Sequence, residues 1–222
     1  MKDLFDYAGA LAVGFLHNVE LAVLCAVFSL ILGTILVAMR VSPTPVLRAA
    51  GTLYVNIVRN TPLTLILAFS ALGLSDTLGL TFSEEPRTNS FWLVVLGLSA
   101  YTASFVCEAL RSGINTVPMG QVEAARAIGL TFMQSLRLII LPQAFRAVVA
   151  PLASVIIAMT KNTTVAVAGG YLAEVSYVMK ETFDTTGVSI PIFVAIVLAF
   201  MAITLPVGWL GGRLSKRMAV GR

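Results

Sequence analysis

The ionisable side chains are the first candidates for chemistry in this sequence, and they do not form a catalytic set. His17 is the single histidine of the 222 residues, so a histidine cluster for a metal or a general base would lack partners. Glu108 and Glu123 are each able to act as acid or base, but the sequence has no paired-carboxylate or Ser/His constellation. We expect no catalytic residue and no metal site, and we assign His17 to interfacial packing.

Two short polar motifs interrupt long apolar runs and are the remaining candidates for ligand contact. In the first motif, Arg59, Asn60 and Thr61 precede Pro62. Polar groups at such a break either contact a ligand or satisfy backbone carbonyls that the proline frees, and the arginine is also able to snorkel to an interface.

The second polar motif is Lys161, Asn162 and Thr163. Ionisable groups in apolar segments are costly and for that reason suggest function. Lys161 would attract an anionic group; alternatively, it anchors at an interface or pairs with a carboxylate elsewhere.

The elements that must position these residues are membrane-spanning helices. Of all residues 58% are hydrophobic and 12% charged, and the mean hydropathy is +0.91, whereas soluble domains carry about 25% charged residues. Several apolar stretches reach the roughly 20 residues that cross a bilayer as helix. We predict five spans at about 19–39, 53–75, 90–110, 138–161 and 190–211.

The charges of the connecting segments predict the orientation of these spans. The segments 40–52 and 111–137 and the C-terminal tail are basic, whereas 76–89 and 162–189 are mainly acidic. The positive-inside rule places the basic segments in the cytoplasm. We therefore expect the N-terminus outside and the C-terminus inside, and we interpret the net charge of +4 as membrane orientation and not as nucleic-acid binding.

Local patterns add detail to this arrangement. Pro62 predicts a kink in the second span. Residues 165–170 are apolar but too short to cross and precede an amphiphilic stretch at 171–183, which predicts a re-entrant or broken segment that lines a cavity. Glu108 and Arg111, three residues apart, predict an intrahelical ion pair, with a gate role as the alternative. Cys25 and Cys107 are expected to be buried as small hydrophobes.

The most informative stretch is Glu123-Ala124-Ala125-Arg126-Ala127-Ile128-Gly129, which is followed nine residues later by Ile139-Ile140-Leu141-Pro142. Alanines favour a short helix with a nearly bare surface, and Gly129 permits a sharp stop. Phe132, Leu136 and Ile139 mark one face of a second helix. A smooth helix of this kind suits the cleft of another protein better than it suits lipid.

This spacing resembles, without a gap, the EAA loop of binding-protein-dependent ABC importer permeases. Further phrases resemble the polar amino-acid uptake subfamily of histidine, glutamine and glutamate type, and look most similar to actinobacterial glutamate permeases. They are Arg59-Asn60-Thr61-Pro62-Leu63, Glu108-x-x-Arg111-x-Gly113, Pro118-x-Gly120-Gln121, Pro142-Gln143 with Arg146 and Pro151, and Lys161-Asn162-Thr163. Glu20 departs from the pattern, because relatives often have a basic or neutral residue there.

The resemblance implies an all-α integral membrane protein with the type I ABC importer permease fold. Residues 1–222 would form one transmembrane permease domain that includes a cytoplasmic EAA loop at 111–142. The ATPase-docking coupling helix would comprise Gln121, Glu123, Ala124, Ala125, Arg126 and Gly129. The candidate substrate pathway comprises Arg59, Asn60, Thr61, Lys161, Asn162 and Thr163, with Pro62 as the kink.

The function implied by the resemblance is ATP-driven import of polar amino acids, with glutamate first and glutamine or aspartate as alternatives. The implied partners are a dimer of ABC ATPases, a second permease subunit that is a paralogue rather than an identical copy, and an extracytoplasmic amino-acid-binding protein. The location would be the bacterial cytoplasmic membrane. This chain would bind no cofactor, because ATP and Mg²⁺ would be bound by the ATPase; in agreement, the sequence has no Gly-x-x-x-x-Gly-Lys-Ser/Thr loop.

Two other functions are weaker alternatives. An integral membrane enzyme acting on lipid would need the catalytic constellation that the sequence lacks. A passive channel or secondary transporter would have no use for a docking loop, and the sequence shows no internal inverted repeat.

Overall fold

The protein is entirely helical over the part of the chain that the computed structural model describes, which is residues 2–218 with side chains at 7–131, 134–135 and 137–217. The helices are α1 Lys2–Val41, α2 Pro45–Arg59, α3 Leu63–Ala68, α4 Pro86–Ile114, α5 Met119–Ala127, α6 Phe132–Ser135, α7 Leu141–Asn162, α8 Val175–Thr186 and α9 Ile190–Met218. α3 continues as a π-helix over Phe69–Thr77, and a second π-helix, Leu136–Ile140, joins α6 to α7.

Four continuous helical segments of the described chain are long and apolar enough to cross a membrane. They are Tyr7–Val41, Pro86–Ile114, Arg137–Gly169 and Ile190–Arg217, and the pair Pro45–Arg59 and Leu63–Thr77 supplies a fifth if it is one broken span. The five predicted spans are thus confirmed in number, counting that pair as one. The first begins at Tyr7 and not near residue 19, because the apolar stretch from Tyr7 to Leu16 continues the helix without a break. Glu20 therefore lies well inside α1 and not at a helix start.

The break at Pro62 is much sharper than the predicted kink. α2 and the helix that follows it meet at 105°. Asn60 Nδ2 donates to the Asn56 carbonyl at 2.6 Å, and Thr61 Oγ1 donates to the Ile57 carbonyl at 2.9 Å. These side chains cap carbonyls in the last turn of α2, where the helix ends. The carbonyl four residues before Pro62, that of Val58, accepts from Thr61 N at 3.2 Å.

α4 is the central helix, since it packs against α1, α2 and α7. About two thirds of the residues in its most apolar stretch are buried inside the subunit. One core cluster, around Leu21, Leu67, Phe91 and Leu98, lies in the half of the bundle near the start of α4. The other, around Leu36, Val55 and Ala103, lies near its end. Cys25 and Cys107 are buried free thiols, as predicted.

The segment after α7 is broken, as the sequence predicts. α7 tightens into a 3₁₀ helix over Thr163–Gly169, which packs on α3, and Gly170 then reverses the chain at φ +78°. Only a residue tolerant of the left-handed conformation fits such a turn. α8 begins at Val175, after the cap residue Glu174, and packs along α1.

α9 is peripheral. It packs mainly on α7, and only 6% of the residues in its most apolar stretch are buried inside the subunit.

Candidate coupling surface and substrate pathway

The segment predicted to be the coupling helix forms the helix α5, which starts two residues earlier than expected, after Pro118. Gly129 lies beyond its end with φ +86°. Leu130 N donates to the Ala125 carbonyl and Gly129 N to the Arg126 carbonyl, both at 3.0 Å. These two bonds form a Schellman motif, which ends the helix sharply as the sequence predicts.

The residues of α5 are divided between two faces. Glu123, Ala124 and Arg126 are exposed, whereas Ala125 is only 2% exposed and packs within the subunit. Beside this exposed face, Met119 and Ile128 present large apolar side chains to the surroundings. The surface available to another protein is thus partly apolar and carries one charge of each sign.

Gln121 connects α5 to α7. Gln143 Nε2 donates to Gln121 Oε1 at 2.7 Å and to the Ile139 carbonyl at 3.0 Å. A displacement of α5 would therefore pull on the first turn of α7. Sequence reasoning gave Gln143 no role, although its place beside Pro142 in the motif was a usable signal.

The connection between α5 and α7 is locally stabilised. Thr131 N donates to Gln134 Oε1 at 2.9 Å, and Gln134 N donates to Thr131 Oγ1 at 3.3 Å, which is a capping box. Ile139 is half-buried. The predicted partners of Ile139 on one helix face, Phe132 and Leu136, have side chains outside the described residues.

Glu108 pairs across helices and not along α4. Its Oε1 accepts from Arg40 Nη1 at 2.6 Å and lies 3.8 Å from Arg59 Nη1, while Arg111 is exposed and forms no ion pair with any described side chain. The predicted Glu108–Arg111 pair is wrong. A surface pair of this spacing contributes only about 0.2–0.5 kcal/mol, whereas the nearly buried Arg40 guanidinium requires a charged partner.

The six predicted pathway residues do not converge on one point. Asn60 and Thr61 bond to their own helix, Arg59 joins the Glu108 cluster, and Lys161 is exposed without an ion pair to a described carboxylate. Thr163 is fully buried.

Among these six residues, Asn162 lines a cavity. The cavity has about 250 Å³ and lies between α4 and α7. Its other polar lining residues include Tyr101, Thr102 and Ser154, and Phe105 and Met159 supply apolar walls. The lining offers hydroxyl and amide groups but no charge.

A buried polar network that sequence reasoning missed joins α1 to α7 and α8. Asn18 Nδ2 donates to Thr163 Oγ1 at 3.0 Å, and Asn18 Oδ1 accepts from Val175 N at 2.8 Å. Glu174 is fully buried, caps α8 through Ser176 N and Tyr177 N, and lies 3.4 Å from Asn18 Nδ2. Burial raises the pKa of Glu174 above its usual range, although these hydrogen bonds oppose the rise.

His17 lies at the end of the bundle opposite to α5. It is hydrogen-bonded to Arg87, and its Nδ1 is 3.5 Å from Glu20. The ring also packs edge-on against Tyr171, with centroids 6.0 Å apart. Within the described chain, no three His, Cys, Asp or Glu residues come close enough together to hold a metal ion.

A family model described as "Binding-protein-dependent transport system inner membrane component" matches residues 20–220. The glutamate transport system permease protein GluC of Corynebacterium efficiens is 47% identical to the chain, covering 97% of this chain and 96% of GluC. The glutamate/aspartate import permease protein GltJ of Escherichia coli K12 is 32% identical over 89% of this chain and 82% of GltJ.

Two solved structures are similar in fold. A subunit from a structure described as an amino acid ABC transporter with histidines superimposes with a TM-score of 0.85 at 23% identity, over 96% of both chains. A chain of the MetNI methionine ABC transporter in an inward-facing conformation gives a TM-score of 0.74 at 18% identity, over 97% of this chain and 99% of that chain.

Proposed function

We propose that this chain, which belongs to the family of binding-protein-dependent transport system inner membrane components, carries glutamate across the membrane, with glutamine and aspartate as related candidates. The chain is a multi-pass permease subunit of an ABC transporter and works with ATPase and permease partners. The observation that supports glutamate is the 47% identity to GluC over nearly the full length of both chains.

The subunits and cofactors complete the proposal. The second permease is a paralogue, and an extracytoplasmic receptor delivers the amino acid. ATP and Mg²⁺ are bound by the ATPase, and this chain binds no cofactor. The basic segments on the side of α5 and the acidic segments on the other side support a cytoplasmic C-terminus and an external N-terminus.

The exposed face of α5 docks on the ATPase. Its residues Glu123, Ala124 and Arg126 have no packing role inside the subunit that would compete with such a contact. Through Gln121 and Gln143, movement of α5 reaches α7, the helix that ends at Asn162. ATP-driven closure of the ATPase pair would thus change the cavity between α4 and α7.

The cavity lined by Asn162 is the proposed substrate pathway in this subunit. Hydroxyl and amide groups are able to bind an amino acid without holding it too tightly, and polar groups in a span are costly unless they face protein or water. We expect Asn162→Leu to lower the rate of transport at least tenfold. Lys180→Gln is the control, since Lys180 is exposed on α8 and lies outside the candidate pathway. An equal loss of transport rate in both variants would show that the substrate does not pass through this cavity.

The proposal is tested by reconstituting the chain with its ATPase, its permease partner and its receptor. Uptake of labelled glutamate, glutamine and arginine into vesicles is then measured with and without ATP and receptor. We expect ATP-dependent and receptor-dependent uptake of glutamate. Uptake of arginine alone would overturn the anionic substrate, and uptake without ATP would overturn the importer.

A further inference from the structure

One face of α4 stays accessible while the rest of the helix around it is buried. Between Tyr101 and Glu108 the accessible side chains are Tyr101, Phe105 and Glu108, and all the residues between them are buried. Spacings of four and three residues place these three side chains on one helix face. Tyr101 and Phe105 line the cavity that Asn162 also lines. Glu108 therefore continues the wall of that cavity by one turn toward the end of α4 that leads to α5.

The charge of Glu108 matters for any amino acid that leaves the cavity toward α5. Every amino acid carries an α-carboxylate, and an unpaired Glu108 would repel it. Arg40 Nη1 lies 2.6 Å from Glu108 Oε1, and the Arg40 side chain is nearly buried. Arg40 therefore neutralises Glu108 and is held in that place.

Arg59 adds a second positive charge beside the same carboxylate. Its Nη1 is 3.8 Å from Glu108 Oε1, the oxygen to which Arg40 donates. Charge-assisted N–H···O bonds measure about 2.7–2.9 Å, so Arg59 is close to Glu108 without a hydrogen bond to it. Among the residues that the structure describes, Glu108 is the only carboxylate within 4 Å of Arg59. The Arg59 side chain is 44% exposed, and its N–H groups are free to bind an anion.

The fold brings this guanidinium to the accessible face of α4. Arg59 is the last residue of α2, which packs on α1 and α4, and the chain turns by 105° directly after it. Its neighbours Asn60 and Thr61 bond to carbonyls of their own helix. Of this polar motif, Arg59 is therefore the residue that reaches the wall formed by α4.

A carboxylate is the ligand that suits these groups. The planar guanidinium matches a carboxylate with two parallel N–H···O bonds. With Arg40, Arg59 and Glu108 counted together, the cluster has two positive charges and one negative charge. It therefore attracts a carboxylate, and the ligand leaves no charge of the cluster without a partner because Glu108 stays with Arg40.

We propose that Arg59 binds a carboxylate of the transported amino acid at the inner end of the cavity, and that Arg40 and Glu108 are its positioning residues. This inference rests on the proposed function in one respect, which is that the substrate passes the cavity lined by Asn162. When the carboxylate leaves, Arg59 returns to Glu108. Competition from Glu108 keeps the binding weak enough for release.

Infrared spectroscopy tests the carboxylate contact directly. The purified complex of this chain with its ATPase and permease partners is placed in phosphatidylcholine nanodiscs without ATP. Glutamate, glutamine and arginine, each labelled with ¹³C at the α-carboxylate, are added in turn at millimolar concentration, and glutamate labelled at the side-chain carboxylate follows. We expect the stretching band of a labelled carboxylate to shift from its position in free solution in the wild type, and this shifted band to be lost in Arg59→Gln. Absence of a shift with every label, or equal shifted bands in both proteins, would overturn the proposal.

The two positions of the label in glutamate distinguish the two possible ligands. A shift with the α-label shows a contact that all amino acids share. A shift with the side-chain label alone shows a contact specific to acidic substrates. Both results support a carboxylate site at Arg59, and they differ in what the site contributes to selectivity.

Uptake into vesicles tests the role of Arg59 in transport. Arg59→Gln should lower the maximal rate of uptake at least about tenfold, and Arg59→Lys should lower it less, because lysine keeps the charge but lacks the fork. Arg48→Gln is the matched control, since Arg48 is exposed on the same helix. The unfolding temperature of Arg59→Gln should equal that of the wild type, because an exposed ion pair contributes little to stability. Wild-type uptake by Arg59→Gln, or an equal loss in Arg48→Gln, would contradict the site.

Two further comparisons separate this inference from its alternatives. Wild-type uptake by Asn162→Leu would overturn the cavity as the pathway, whereas the labelled band at Arg59 would remain or be absent independently of that result. Phosphatidylglycerol is then added to the nanodiscs and vesicles, and we expect the difference between wild type and Arg59→Gln to be the same with and without it. A difference that appears only with phosphatidylglycerol would make Arg59 a contact for an anionic lipid and would overturn the proposal.

Discussion

Arg40 Nη1 lies 2.6 Å from Glu108 Oε1, so a charge-assisted hydrogen bond joins the end of α1 to the last third of α4. The Arg40 side chain is 5% exposed and that of Glu108 30%. Arg59, from the end of α2, approaches the same carboxylate at 3.8 Å. Three helices thus meet at one carboxylate, close to the sharp break that follows α2.

Removing either partner of this bond should destabilise the subunit. In Glu108→Gln the nearly buried Arg40 loses its counter-charge, and such a loss costs about 3 kcal/mol. Thermal unfolding of the purified complex measures the change. Arg111→Gln is the control on the same helix, and we expect a change below about 0.5 kcal/mol there, because Arg111 is exposed and has no ion pair with a described residue. If Arg111→Gln destabilised the subunit more than Glu108→Gln, the result would contradict this prediction and would favour the Glu108–Arg111 pair along α4.

Gly113 should not tolerate a side chain. A Cβ at this position would lie 2.2 Å from Val148 Cγ1 and 2.8 Å from the Ala144 carbonyl oxygen, which belongs to backbone. Gly113→Ala would therefore push α7 away from α4, at a cost of about 1–3 kcal/mol. The readouts are the unfolding temperature and the rate of uptake.

Gly120 provides the comparison for that substitution. It lies in α5, and a Cβ there would meet nothing within 4 Å. Gly120→Ala should leave stability unchanged or raise it by up to about 1 kcal/mol, because alanine is the better helix former. Equal destabilisation by both substitutions would show that crowding at Val148 is not the cause.

Cysteine cross-linking should distinguish the two alanines of the coupling helix. Ala124→Cys should form a cross-link with the ATPase, because Ala124 is on the exposed face of α5. Ala125→Cys should not, since that position is 2% exposed. The native Cys25 and Cys107 are buried and will contribute little background. A cross-link to the ATPase at position 125 but not at position 124 would contradict the prediction, because it would show that the ATPase contacts the opposite face of α5.

Glu174 should make the stability of the subunit depend on pH. Its pKa in the folded chain lies above the ordinary value of 4.5 because the carboxyl is buried. The folded state therefore binds this proton more tightly than the unfolded state. The contribution to stability is fully present below about pH 4.5 and is lost as the pH rises through the raised pKa.

The measurement is the unfolding temperature of the wild type and of Glu174→Gln as the pH rises from 4. The wild type should lose stability relative to the variant over this rise, and the variant should have the flatter profile. Glu181→Gln, an exposed acid on the same helix, should follow the wild type. Parallel profiles for the wild type and Glu174→Gln would contradict the assignment.

The sequence predicts the helical spans well because their signal is local. Apolar length, Pro62 and Gly129 act within a few residues, and the structure has a span, a break and a left-handed helix end at those positions. The sequence alone does not predict where the first span begins or how sharply the chain bends at Pro62. The angle of 105° at the break depends on how α2 packs on α1 and α4.

Side-chain partners were predicted poorly because they depend on contacts between distant parts of the chain. Arg40 and Glu108 are 68 residues apart, and Asn18 and Glu174 are 156 apart. A spacing of three residues suggested Arg111 as the partner of Glu108. The carboxylate instead pairs with Arg40 on another helix, because a buried guanidinium is strongly destabilising without a charged partner. Neighbouring positions such as Lys161, Asn162 and Thr163 also point to different surroundings, so a contiguous motif does not form a contiguous site.

The loose packing of α9 has a consequence for mutational scanning of the gene. Most positions of this helix should accept any of the larger aliphatic or aromatic residues, because lipid tails adapt to shape in a way that a protein neighbour does not. Two exceptions are Gly211, where a Cβ would come within 2.5 Å of Ala153 Cβ on α7, and Ile192, which is fully buried against Leu11 and Val175. A library covering 190–217 should therefore show isolated positions of intolerance along an otherwise permissive helix.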